Sequence, residues 1–186
     1  SKPLPIEKMG FSARNLEEFK KIVSKPYGIC LVVGPTGSGK TTTLHSGLGF
    51  INTVDMKIWT AEDPVEITQA GLRQVQVHPK IDFTFAHAMR AFLRADPDVI
   101  MVGEMRDLET IKLAVTAAET GHLVFATLHT TSASQTVDRI VDVFPADQQR
   151  QVRVQLSGTL LGIVSQVLVP CVGKGPCEYR TTAKQK

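Results

Sequence analysis

The residues Gly34-Pro35-Thr36-Gly37-Ser38-Gly39-Lys40-Thr41 have the types and order of a phosphate cradle. Glycines let the backbone wrap closely enough for successive N–H groups to point at phosphate oxygens. A helix that starts near Gly39 adds its positive N-terminal end beneath the same anion. Lys40 is then placed to reach the β- and γ-phosphates, and the Thr41 hydroxyl to ligate Mg2+. The bland alternative is a glycine-rich turn that matches by chance. Against it, the stretch follows an apolar run, Ile29–Val33, and precedes a helical segment, Thr41–Ile51. A Walker A motif needs that strand-before, helix-after context.

A phosphate cradle binds nucleotide, and hydrolysis needs further groups to hold the metal and orient water. Two acidic stretches can supply them, each at the end of a predicted strand: Glu62-Asp63-Pro64-Val65-Glu66 and Gly103-Glu104-Met105-Arg106-Asp107. In open parallel sheets that end of the strand faces the ligand crevice. Glu104 has the place of a Walker B carboxylate, and Asp98, at the other end of the same apolar run, is far from the phosphates. Glu62, Asp63 and Glu66 remain open as water-orienting groups, against the alternative of solvated loop charges. Asp107 opens a helical pattern and reads as its cap. His129, just past the apolar run Leu123–Leu128, is within reach of a γ-phosphate or a carboxylate. For His122, before the run, functional and structural roles stay open. Neither has a second ligand at a metal-binding spacing, and His45, His78 and His87 read as structural.

These groups need a scaffold. Short continuous apolar runs recur at Ile29–Val33, Lys57–Thr60, Val99–Val102 and His122–Leu128, as in strands buried on both faces of a parallel sheet. Gln74–Val77 is a shorter candidate. Helical spacing precedes them at Asn15–Ile22 and lies between them at Thr41–Ile51, Phe85–Arg94 and Leu108–Glu119, and Ala146–Val169 reads as a long helix or a pair. Alternation of this kind predicts an α/β fold with a mainly parallel sheet flanked by helices. The 186 residues suffice for one substantial core. A net charge of +3, one Trp and two Tyr give no basic, aromatic stripe for nucleic acid. The longest apolar stretch, Leu160–Val169, is broken by Ser165 and Gln166, short of a membrane span. An odd cysteine count, Cys30, Cys171 and Cys177, fits reduced thiols and an intracellular protein.

Larger motifs add a resemblance. Leu93-Arg94-Ala95-Asp96-Pro97-Asp98-Val99-Ile100-Met101-Val102-Gly103-Glu104-Met105-Arg106-Asp107 resembles the signature of the secretion ATPase superfamily. That superfamily holds type II secretion ATPases and the extension and retraction motors of type IV pili. Thr60–Glu66 is similar to its Asp box, and Thr120–His122 with Thr127–Thr130 to its His box, over a resemblance that covers residues 10–169. It implies a RecA-like P-loop NTPase core in residues 11–170, with 1–10 as linker or truncated end and 171–186 as a loose tail. It further implies ATP and Mg2+ as cofactors and a cytoplasmic hexamer, peripheral to the inner membrane through platform components of the pilus or secretion machine. By resemblance Lys40 and Thr41 hold phosphate and Mg2+, Glu104 is the Walker B carboxylate and second metal ligand, Glu62 is preferred over Asp63 as general base, and His129 contacts the γ-phosphate. Glu66–Gln69 with Gly71–Val77 looks like the extension and secretion branch, while Ala117–His122 and Val141–Pro145 look more like retraction motors.

The pattern departs from the family in two ways. Cys171 and Cys177, six apart, do not make a paired zinc module, so no zinc is expected. The smaller N-terminal domain that supplies arginine fingers has no counterpart, so a fragment is expected to bind nucleotide and turn over slowly, since such fingers are worth about 10³ to 10⁵ in rate. Arg94 and Arg106 are weighed as partial substitutes against helix-surface or salt-bridge roles. Three other readings compete. A nucleic-acid translocase needs the missing basic stripe, a small-molecule kinase needs an arginine-rich lid, and a non-catalytic nucleotide-binding assembly module needs neither.

Overall fold

A computed structural model describes residues 3–169; Cys171, Cys177 and the expected tail lie outside them. The strands are β1 (Gly28–Val33), β2 (Ile58–Glu62), β3 (Leu72–Gln76), β4 (Val99–Val102), β5 (Leu123–Leu128) and β6 (Leu160–Ser165). They form one sheet in the order β3-β2-β4-β5-β1-β6, and every pair is parallel. The four most apolar strand segments take the central places. β1, β4 and β5 are buried along their whole length, as strands covered on both faces must be.

The helices are α1 (Ala13–Val23), α2 (Lys40–Ile51), α3 (Phe85–Phe92), α4 (Leu108–Glu119), α5 (Ala133–Asp142) and α6 (Ala146–Thr159). Alternation along each strand divides the core into two layers. Ile29, Leu31 and Val33 face the layer that α3, α4, α5 and α6 cover. Cys30 and Val32 face the layer under α1 and α2, where Phe19, Val23, Leu44 and Leu48 pack. The 3-10 turn Ile6–Lys8 adds the buried Ile6 to this second layer. Burial pushes the Cys30 thiol up to about 12, so it packs as a small apolar group. Phe125 on β5 is wholly buried in the same layer. Phe125→Ala is expected to cost about 3–5 kcal/mol, read as a lower urea midpoint at unchanged slope.

Helix starts follow local chemistry. Ser12, Thr84, Asp107 and Ser132 each accept a bond from the N–H three residues on, the usual N-cap arrangement. Asp107 therefore caps α4, as expected, and also accepts from Thr110 Oγ1 at 2.8 Å.

Two elements differ from the sequence reading. Ala146–Val169 is not helical throughout: α6 stops at Thr159, and Leu160–Ser165 becomes edge strand β6 beside β1. A run of four aliphatic residues and a glycine has no period that separates helix from strand. Pairing decides it, because β1 offers an open edge, and at Gly162 a Cβ would stand 2.7 Å from Ile22 Cδ1, so the backbone passes close to α1. The second difference is α5, which the apolar pattern did not suggest. Among the described residues no helix is long and apolar enough to cross a membrane.

Candidate functional site

Because every strand runs the same way, the chain leaves β1, β2, β4 and β5 at one edge of the sheet. Val33 pairs with Leu128, Val102 with Ala126, and Ala61 with Val102. Gly34, Glu62, Glu104 and His129 therefore meet at this edge from four different strands. Asp98 and His122 belong to the opposite edge. Asp98 accepts the Lys57 N–H at 2.7 Å, and His122 Nδ1 lies 3.0 Å from the Ala117 carbonyl at the end of α4, both structural uses. Arg94 follows α3 and leads into the same far edge, whereas Arg106 pairs with Glu104.

The loop after β1 is shaped for close backbone approach. Gly34 has φ +151, and a Cβ there would fall 2.2 Å from the Gln166 carbonyl and 2.7 Å from Ser38 Oγ. Gly39 takes a left-handed φ of +84 as N-cap of α2, so the helix begins with open N–H groups and no side-chain cap. Ser38 Oγ is buried and has no hydrogen-bond partner among the described residues. A buried orphan hydroxyl beside a helix start that has no side-chain cap fits an anion such as phosphate. Lys40 Nζ donates to the Gly34 and Pro35 carbonyls at 2.9 and 3.0 Å, which lays the ammonium along the loop. Burial lowers the Lys40 pKa from its ordinary value, with Glu104 pulling the other way.

Behind the loop lies a cavity of about 90 Å³, and Thr41, Glu62, Glu66, Gly103, Glu104 and Arg106 are among its lining residues. Thr41 from the helix and Glu104 from the end of β4 thus share one small space, and their hydroxyl and carboxylate oxygens are the hard donors that Mg2+ takes. Glu104 Oε1 pairs with Arg106 Nε and with His129 Nε2, the latter at 3.1 Å. Burial opposes its charge, but Arg106 and His129 outweigh that and hold the carboxyl below the usual carboxylate range. With a lowered folded-state pKa, the stabilisation from Glu104 is complete above the ordinary value of about 4.3 and is lost as pH falls through the lowered one. Thermal unfolding between about pH 5 and 3 should therefore drop more steeply in the wild type than in Glu104→Gln.

Glu62 is only 3% exposed, and both its oxygens are engaged. Thr60 Oγ1 and Gln74 Nε2 donate to Oε1 at 2.7 and 2.9 Å, and His45 Nε2 stands 3.2 Å from Oε2. Asp63 and Glu66, the open alternatives in the same stretch, are exposed.

Residues 1–185 match the family model described as Type II/IV secretion system protein. The chain belongs to this family. The type IV pilus retractation ATPase PilT of Pseudomonas aeruginosa is 50% identical over 180 residues, 94% of this chain and 51% of that protein. The type IV pilus assembly ATPase PilB of Myxococcus xanthus is 55% identical over 140 residues, 75% of this chain and 25% of that protein. A crystal structure of the pilus retraction motor PilT with bound ADP superposes with a TM-score of 0.81 at 46% identity, covering 93% of this chain and 50% of that one. The chain thus spans about half the length of the one relative and a quarter of the other.

Two residues of the site escaped the sequence reading. Gln166, just past β6, buckles the phosphate loop to the sheet: its Nε2 donates to the Ser38 carbonyl at 2.6 Å and its Oε1 accepts from Thr43 Oγ1 at 2.9 Å. No local pattern marks it. The other is His45, which reads as structural in the sequence because it sits singly inside a helix and which the structure sets against Glu62.

Proposed function

We propose that this chain is the ATP-hydrolysing core of a motor subunit that powers a type IV pilus or a type II secretion machine. The observation that carries the reading is the meeting of Thr41, Glu62 and Glu104 in one cavity behind a phosphate-shaped loop. Membership of the family and similarity to retractation and assembly ATPases alike support the motor class. The triphosphate lies along residues 34–41, with Lys40 against its β- and γ-phosphates and the α2 N-terminus beneath. A cleft of about 200 Å³ beside the loop, lined by Phe11, Thr42, Gln166 and Leu168 among others, is of a size to take part of a nucleoside.

Thr41 and Glu104 would hold Mg2+, which would neutralise charge on the β- and γ-phosphate oxygens. Glu62 takes the proton of the attacking water and fixes the line of attack. His129, half-exposed and paired with Glu104, contacts the γ-phosphate and couples its loss to the Walker B carboxylate. In this reading the active form is a homo-hexamer on the cytoplasmic face of the inner membrane, docked on platform components of the machine.

Phosphate release measured across chain concentrations, with and without DNA, tests the proposal. Specific activity that rises with concentration and ignores DNA is the expected result, because a ring completes each site across an interface. Activity that is flat in concentration, or stimulated by DNA, contradicts it; the latter favours a translocase.

A further inference from the structure

The phosphate-binding helix carries a buried imidazole to which the reaction above gives no task. His45 is 0% exposed and lies one turn beyond Thr41 on α2, so the two share a helix face. Its Nδ1 is 3.0 Å from Gln69 Oε1 and its Nε2 3.2 Å from Glu62 Oε2. The surrounding backbone fixes which atoms of Gln74 donate. Gln74 Oε1 accepts from the Gln69 N–H at 2.7 Å, and Gln74 Nε2 donates to the Ile67 carbonyl at 2.8 Å, so this amide has one orientation. Its Nε2 then donates to Glu62 Oε1, beside the Thr60 hydroxyl, and fills that oxygen.

An ionised carboxylate has about four lone-pair sites. Thr60 and Gln74 take the two on Oε1, and His45 takes one on Oε2. The remaining site on Oε2 is the only one left to accept a proton from water, and its direction is set by where the His45 Nε2–H lies. We propose that His45 is a positioning residue for Glu62, aiming the free lone pair of Oε2 into the cavity shared with Thr41 and Glu104. This rests on Glu62 being the base.

The surroundings agree with an ion pair. Burial opposes a charge on His45, but Glu62 and Gln69 outweigh it and raise the imidazole's pKa. Burial likewise opposes a charge on Glu62, and His45, Gln74 and Thr60 outweigh that and lower it. Besides Glu62, the charged group that acts on His45 is Glu66, also negative. Three donors make Glu62 a weaker base than a free carboxylate, so its contribution depends the more on aim.

The test compares His45→Phe, which removes the donor, with His45→Gln, whose amide N–H can stand where Nε2 stood. We expect His45→Phe to lower kcat about 10- to 100-fold, the scale of a 1 Å misplacement, with nucleotide KM unchanged. His45→Gln should recover most of that loss, and His45→Phe added to Glu62→Gln should cost nothing further. Equal losses in the Phe and Gln variants, losses additive with Glu62→Gln, or a loss confined to KM would overturn the positioning role. A full-rate Glu62→Gln would instead remove the base assignment itself. A second readout needs no turnover: the imidazole Nε2–H resonance of His45 in the 186-residue chain should shift in Glu62→Gln and stay in place in Glu104→Gln. An unmoved resonance in Glu62→Gln, or equal shifts in both, overturns the proposal even where His45→Phe does not fold.

Discussion

Lys40→Ala should weaken nucleotide binding by about 10²- to 10³-fold, the scale of removing one member of a hydrogen-bonded charge pair. The ammonium is the only side-chain cation within the phosphate loop, residues 34–41. It already lies along that loop through the Gly34 and Pro35 carbonyls. A triphosphate offers it charged oxygens in their place, and charge-assisted bonds are roughly twice as strong as neutral ones. Alanine keeps the first helical position, so the fold should survive with an unchanged unfolding curve. The loss should appear in a direct titration with ATP and be smaller for AMP, which lacks the distal phosphates. Superimposable titrations of variant and wild type would refute the phosphate assignment.

Glu62→Gln should leave binding within a few-fold and cut turnover by about 10²- to 10⁴-fold, the usual weight of a general base. The amide has the shape of the carboxylate but not its capacity to take a proton. It also meets three groups that donate to Glu62: Thr60 Oγ1, Gln74 Nε2 and His45 Nε2. One amide oxygen cannot serve both sides, so a buried donor loses its acceptor, and stability should fall by about 1–3 kcal/mol or more. Turnover must therefore be compared well below the lowered unfolding transition. A variant that hydrolyses at full rate removes Glu62 from the reaction.

Much of this arrangement was legible from the residues because its signals are local. Val99–Val102 and Leu108–Glu119 have the bounds the sequence suggests, since unbroken apolar runs and a capping Asp107 define them without outside help. The phosphate loop likewise depends on glycines that only positive φ explains. Other features depend on partners distant in sequence. Leu160–Ser165 became a strand because β1 had an edge to fill, which no window over those residues contains. Gln166 reaches Ser38 and Thr43 across more than a hundred residues for the same reason. His45 acquires meaning only when β2 brings Glu62 to it and the following loop brings Gln69. The start of α5 is a different case. Ser132 followed by Gln135 has the spacing of a capping box, Gln135 Oε1 accepts from the Thr131 N–H at 3.0 Å, and the helix buries Thr136, Ile140 and Val141. That signal is local and lies within a largely polar stretch.

The division of the acidic groups also follows from fold more than composition. Glu62 and Asp63 are neighbours, yet the end of β2 turns one inward against α2 and leaves the other in solvent. Glu104 is held by Arg106 and His129 at the mouth of the same space, so the two carboxylates have different partners and different exposure. Such a pair suits one metal-holding and one proton-accepting role.

A crystal structure of the chain with Mg2+ and a non-hydrolysable ATP analogue tests the central claim most directly. The account predicts the γ-phosphate beside Lys40, the metal on Thr41 and Glu104, and a Glu62 oxygen within about 6 Å of the γ-phosphorus, the reach of a base through one water. A γ-phosphate seated elsewhere, or Glu62 more than about 10 Å away with no water between, would contradict it.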